Sequence, residues 1–336
     1  MSSAAEVLRR FDAPAINCFT GSFVQLADRH GWSVDESAIL ERGDGFLLRC
    51  GLDEWGFPEY GFPVEEIGLR GLDRLGAAVE SEPLDAADPV RHLSAVVRAR
   101  RGAVVWTNSH HLSYAEIYVR NPGYLHALLV TDVSDDLARV RVFDSLIVDR
   151  ERHGCEAWLP ADSFRAAITD RVATETYDHM GFLHSLTGNA AGALRREVAA
   201  DLRRQAELFL SRPEYRGAVT QYQKLCADAF AVGGDHSARA ARRLFDHIKV
   251  LYVVPSLVLL RRSIERIDGS DDIGRRCGTL TDHWRTLAVL ALKFEATGSA
   301  AVRGRIDQRF GDIDAGTTEL WRAILAATTG RSGDTA

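Results

Sequence analysis

The chain reads as an α+β protein, and three observations carry that reading. Residues 1 to about 175 mix short β-rich runs with a few amphipathic helices, a two-strand hairpin spans 124–144, and the stretch after about residue 188 is a succession of apolar-striped helices. Two domains follow from this change of character: a mixed domain over 1–178 and a mostly helical domain over 179–330, with the boundary between residues 170 and 188. At 336 residues the chain exceeds one average domain, and 46% hydrophobic residues suffice for substantial cores.

Taken in order, the first clear element is a helix beginning at Asn17-Cys18. Phe19, Phe23 and Leu26 recur at helical spacing, Pro14 precedes them, Asn17 is placed to cap and Gly31 to stop. The run Gly43-Asp44-Gly45-Phe46-Leu47-Leu48-Arg49-Cys50 opens with turn chemistry and continues as a strand, while Gly56-Phe57-Pro58 and Gly61-Phe62-Pro63 mark loops. A helix is expected over 89–101 with Val90, Leu93, Val96 and Val97 inward, then a β-rich run over 103–108. Residues 124–133 read as a buried strand, Ser134-Asp135-Asp136 as a turn, and 138–144 as an alternating partner. The segment 116–122 reads as a loop, and exclusion of water from a site would fall to the helical domain or to this loop. Helices are then expected over 190–209, 215–232, 237–254, 256–267 and 280–296, punctuated by Pro213, Gly233-Gly234, Pro255 and Gly269. One more is expected near 317–327, before a disordered polar end over 328–336.

Chemistry concentrates in the first half. Cys18 stands in the first turn of its helix, where the positive end of the dipole and unpaired N–H groups favour an anion. His126 begins one strand of the hairpin and Asp144 ends the other, so antiparallel pairing brings imidazole and carboxylate side by side. A base oriented by a third group and presented to a cysteine is the general signature of nucleophilic acyl transfer, and the chain order Cys, His, Asp suits papain-like folds. The alternative for Cys18 is a buried structural thiol. Asn17 is either the helix cap or, with the Cys18 N–H, an oxyanion donor. His110 and His111 are adjacent and on a regular strand would face opposite ways, so no metal site is expected of them. One of them, with Tyr114, is instead a substrate-pocket candidate, or both are ordinary loop residues, as are His153, His179 and His184.

Composition narrows the rest. The five cysteines, at 18, 50, 155, 226 and 277, are scattered and lack a Cys-x-x-Cys pair, so neither a disulfide framework nor a zinc site is indicated. A net charge of −6 argues against a nucleic-acid partner, and the arginine pairs mostly fall on expected helices, as solvated faces or else as an anion-binding site for a carrier protein or phosphopantetheine arm. The longest apolar stretch, 250–260, is interrupted by Pro255 and Ser256, so no membrane span is expected. The first residues lack the charged, apolar, small-residue order of a secretion signal, and a cytoplasmic location is expected.

The Asn17-Cys18 helix start, the Gly43-Asp44-Gly45-Phe46 turn, the Trp106-Thr107-Asn108-Ser109-His110-His111-Leu112-Ser113-Tyr114 segment and the hairpin carrying His126 and Asp144 together resemble the N-terminal domain of the butirosin biosynthesis protein H family. That domain is itself similar to papain-like and bacteriocin-leader peptidase folds. The resemblance covers roughly the first half of the chain. It implies a papain-like cysteine acyltransferase in natural-product, including antibiotic, biosynthesis. An acyl group would leave a phosphopantetheine thioester on an acyl or peptidyl carrier protein, rest on Cys18, and pass to a small-molecule amine, with no bound cofactor. One departure concerns the glutamine that papain-like enzymes often carry six positions before the cysteine: here that position is Asp12, which leaves the oxyanion donor open. The same three residues also serve a hydrolase acting on peptides, amides or thioesters, and an idle binding or scaffold domain is the third reading.

Overall fold

The computed structural model describes residues 5–12, 15–52, 56–120, 123–149, 152–172, 180–187 and 197–329. In chain order these form β1 (Glu6–Asp12), α1 (Cys18–Arg29), α2 (Glu36–Gly43), β2 (Arg49–Leu52), β3 (Pro58–Gly61), α3 (Val64–Arg74), β4 (Ala78–Pro83), α4 (Pro89–Arg100) and β5 (Ala103–Asn108). A 3-10 turn (Ser109–His111) leads to α5 (Glu116–Arg120), β6 (Leu125–Val133), β7 (Arg139–Val148), β8 (Arg152–Pro160), α6 (Ala161–Thr169) and β9 (Phe182–Thr187). The remainder is helical: α7 (Val198–Ser211), α8 (Pro213–Arg216), α9 (Ala218–Val232), α10 (Gly234–Asp246), a π turn (His247–Leu251), α11 (Val253–Ile264), α12 (Asp271–Thr297) and α13 (Ala300–Thr329). The protein is thus α+β with a helical C-terminal part. Among the described residues no helix is long and apolar enough to cross a membrane.

Backbone contacts divide the chain into two compact units, residues 1–39 with 64–195 and residues 40–63 with 196–336. This division differs from a single cut after residue 178 because 40–63 groups with the C-terminal helices. The first unit is built on a seven-stranded antiparallel sheet in the order β1-β8-β7-β6-β5-β9-β4. One face, carrying Val105, Leu128, Val130, Val140, Val142 and Leu159, closes a core with Val90, Leu93 and Val97 of α4, Tyr118 of α5 and Phe164 of α6. The opposite face receives α1, whose Phe19 stacks on Trp106 of β5 at 5.1 Å. Such burial contributes about 25 cal/mol per Å² of apolar surface, which is why the stripe of α1 dictates where the helix lies.

In the second unit the β2–β3 hairpin packs among helices. Tyr60 stacks between Tyr222 and Trp284, at 5.1 and 5.5 Å. Gln205 and Arg204 of α7 fix the chain leading into that hairpin: Gln205 Oε1 accepts from the Phe46 N–H (3.2 Å), and Arg204 donates to Asp44 (3.0 Å).

Several sequence expectations change here. Phe46 and Leu47 are buried but irregular, the strand starting only at Arg49, because the Phe46 N–H bonds a side chain rather than a partner strand. Pro58 and Gly61, each read as part of a loop, are instead the two ends of β3. Pro255 lies in the first turn of α11, where a missing N–H costs nothing, so the break falls at the π turn and Tyr252 instead. Gly217 separates α8 from α9 within 215–232. Helices α12 and α13 are far longer than expected; Thr328 and Thr329 end α13, and the rest of the polar end lies outside the described residues. The expected loop 116–122 is helical through Arg120, because Tyr118 buries fully against the sheet.

Candidate active site

Cys18 is the first residue of α1. Asn17 caps the helix, its Oδ1 accepting from the N–H groups of Phe19 (2.9 Å) and Thr20 (3.3 Å). Its carbonyl partner, Asn17 O, accepts from the Gly21 N–H, so the first turn is fully formed around a half-buried thiol. The helix comes close to the sheet at that point: a Cβ on Gly21 would lie 2.8 Å from Ser145 Oγ, and Ser145 donates to the Cys18 carbonyl at 3.3 Å.

The hairpin provides the other two groups. β6 and β7 pair from Val133–Val140 to Leu129–Phe143 and no further, and the β7–β8 register shifts between Asp144 and Ile147. His126 and Asp144 face each other across this parted end, with Nε2 2.9 Å from Oδ1. The Cys18 side chain, on a helix packed against the opposite face, comes close enough to the imidazole to act on its charge. Because Nε2 is engaged by Asp144, Nδ1 is the nitrogen left for the thiol. Burial opposes charge on His126, but the Asp144 carboxylate and the Cys18 side chain more than offset it and raise the imidazole to about 10.

Asp144 is wholly buried and accepts four hydrogen bonds. Oδ1 takes His126 Nε2 and the Leu146 N–H (3.1 Å), and Oδ2 takes the hydroxyls of Tyr118 (2.8 Å) and Tyr114 (2.9 Å). Burial alone would raise this carboxyl; the charge and hydrogen bond of His126, with the Tyr118 hydroxyl and the Leu146 N–H, hold it below the usual carboxylate range. Burial and the facing carboxylate push both phenols well above their ordinary value, so they remain donors. Tyr118 Oη also lies 3.0 Å from His126 Nε2, and the half-buried Tyr124 ring packs edge-on against that of Tyr118.

Removing the Tyr118 hydroxyl therefore has a defined sign. A hydrogen bond to a charged group contributes about 1.5–3 kcal/mol, and 1.36 kcal/mol is one pKa unit. Tyr118→Phe is expected to raise the Asp144 carboxyl and to move the acid limb of Cys18 alkylation upward by roughly one pH unit. Alkylation rates across pH 3–7 check this. An unmoved limb would mean that His126, Tyr114 and Leu146 set the carboxylate without the Tyr118 hydroxyl.

The remaining sequence candidates lie differently. Tyr114 is buried beneath Asp144, its hydroxyl spent on the carboxylate rather than turned to a pocket. His111 pairs with Asp170 (2.7 Å), and exposed His110 stands beside it on the 3-10 turn. His153 is 3.8 Å from Asp149. His184 is a core residue, bonded through Nδ1 to Ser81 (2.7 Å) and facing Glu65. His179 lies outside the described residues. Among the described residues no group of three or more His, Cys, Asp or Glu side chains is arranged to hold a metal ion.

Sequence reading missed Tyr118, Tyr124 and Glu36. Tyr114 and Tyr118 are four apart, but only Tyr118 lies on α5 and Tyr114 stands in the turn before it, so no helical periodicity marks the pair. No protein-family model matches this chain, and no curated protein matches it.

Proposed function

We propose that the protein is a cysteine-dependent acyltransferase with a papain-like first unit. The observation that carries this is one array: half-buried Cys18 beside His126, and His126 hydrogen-bonded to a buried Asp144 that accepts from four donors. The Cys18 thiolate attacks a thioester carbonyl, and the C–S bond to the donor breaks. His126 gives its proton to the departing thiolate. A neutral amine then attacks the acyl-cysteine, His126 takes the amine proton, and the Cys18 thiolate leaves beside the imidazolium. Asp144 keeps the imidazole oriented and stabilises its cation. The acyl donor in this reading is a phosphopantetheine thioester on a carrier protein and the acceptor a small-molecule amine, in cytoplasmic natural-product assembly.

Intact-protein mass after exposure to a panel of acyl-pantetheine thioesters tests the reading. An acyl adduct on the wild type and none on Cys18→Ala is expected, followed by amide release when amines are added. Release as free acid despite saturating amine would assign a hydrolase. No adduct, with Cys18 alkylated no faster than a model thiol, would leave a binding or scaffold role.

A further inference from the structure

The N–H groups around the nucleophile are apportioned unevenly. Asn17 Oδ1 takes those of Phe19 and Thr20. The two N–H groups preceding Cys18 go to one side chain, Glu36: Oε2 accepts from Ile16 (2.7 Å) and Oε1 from Asn17 (3.0 Å). Oε1 also accepts from the Thr20 hydroxyl (2.7 Å). Among the described residues the Cys18 N–H has no acceptor. The turn thus leaves one donor beside the thiol.

Glu36 is fixed from behind. It opens α2, whose first turn is held by Asp35, with Oδ1 accepting from the Ala38 N–H (2.9 Å) and the Ser37 hydroxyl (2.6 Å). A buried carboxylate is costly unless hydrogen-bonded, and three donors from one turn, with the charge of Arg152 in range, supply what it needs. A carboxylate so placed grips Ile16, Asn17 and Thr20 on either side of Cys18, and so sets the direction of the Cys18 N–H.

We propose that Glu36 is a positioning residue for the acyl-transfer step: it holds the segment 16–20 so that the Cys18 N–H points at the oxyanion formed when the thiolate adds to the thioester carbonyl. The inference rests on the acyltransferase reading and adds a residue outside the Cys18, His126 and Asp144 array. Loss of one oxyanion donor typically slows acyl transfer 10²–10³-fold, and a donor held in a wrong direction loses part of that.

Two reactions of the same thiol separate this role from a structural one. Alkylation by iodoacetamide is a displacement at an sp³ carbon and forms no oxyanion, whereas acylation by an acyl-pantetheine thioester does. Glu36→Gln is expected to acylate about ten- to a hundredfold more slowly than wild type while alkylating within about threefold of it. Thr20→Val, which keeps the carboxylate charge, is expected to show the same split at smaller amplitude, and Thr20→Ser to restore the wild-type rate. Equal acylation by wild type, Glu36→Gln and Thr20→Val overturns the inference, as does a parallel fall of both reactions in Thr20→Val. A wild type that alkylates at Cys18 yet never acylates overturns the acyltransferase reading itself, a result distinct from either.

Discussion

With acyl transfer as proposed, Asp144→Asn is expected to slow acylation of Cys18 by roughly three to four orders of magnitude, the scale seen when the orienting acid of a catalytic triad is replaced by its amide. The carboxylate accepts from one imidazole, two phenols and one backbone N–H. An amide supplies one oxygen and turns a donor toward groups that are themselves donors. The imidazole then loses the acceptor that fixes Nε2–H, and with it the tautomer that leaves Nδ1 for the thiol. The fold loses as well: removing one charge from a buried ion pair costs roughly 3–5 kcal/mol.

The pH dependence of stability reads the same pair. His126 is raised to about 10 from an unfolded value near 6.5, so its contribution is fully present below about pH 6.5 and is lost as pH rises through about 10. Asp144 is depressed, so its contribution is present above about pH 4 and is lost as pH falls through its folded value. His247, lowered to about 3 by burial, gains its contribution as pH rises toward 6.5 and adds no slope above it. The buried thiols and phenols begin to titrate in the unfolded chain only above about 8.5. The midpoint of thermal unfolding is therefore expected to fall between pH 6.5 and 8.5 in wild type and to flatten in Asp144→Asn. Identical slopes would mean that His126 is not held as a cation.

What was legible in the sequence was local. Helix α1 announces itself by Phe19, Phe23 and Leu26 on one face and by Asn17 as a cap, and the structure has Asn17 Oδ1 on the first-turn N–H groups. The juxtaposition of His126 and Asp144 needs only one hairpin, so strand alternation and a turn were enough to foresee it. What was illegible depends on partners far along the chain. Tyr60 belongs with the C-terminal helices because Tyr222 and Trp284 stack on it, and no periodicity around residue 60 encodes that. Tyr118 reaches Asp144 only once α5 lies over the parted hairpin, and Glu36 reaches Ile16 only once α2 folds back on α1. A sequence pattern records which face of an element is apolar; it does not record which buried polar atom on another element that face will meet.

Gly21→Ala tests whether the seating of α1 on the sheet governs the site. A Cβ at position 21 would stand 2.3 Å from Ala15 Cβ and 2.8 Å from Ser145 Oγ, both inside any tolerable contact. Ser145 can rotate its hydroxyl, but its Cβ stays 3.2 Å away and the Ala15 methyl has no rotamer to adopt, so the first turn of α1 and the segment leading into it must shift. Overpacking of this kind costs typically 1–3 kcal/mol. The functional cost is larger in proportion, because displacing a reacting group by about 1 Å can slow a reaction 10²-fold. Gly21→Ala is accordingly expected to unfold earlier by about 2 kcal/mol and to acylate Cys18 roughly a hundredfold more slowly. Alkylation should also slow, since the thiol itself moves from His126, which distinguishes this variant from Glu36→Gln. Adding Ala15→Gly and Ser145→Gly clears both obstructing atoms and is expected to recover much of the rate. Wild-type rate and stability in Gly21→Ala would show that α1 can shift along the sheet without separating Cys18 from His126, and that the parted hairpin tolerates a looser helix than its contacts imply.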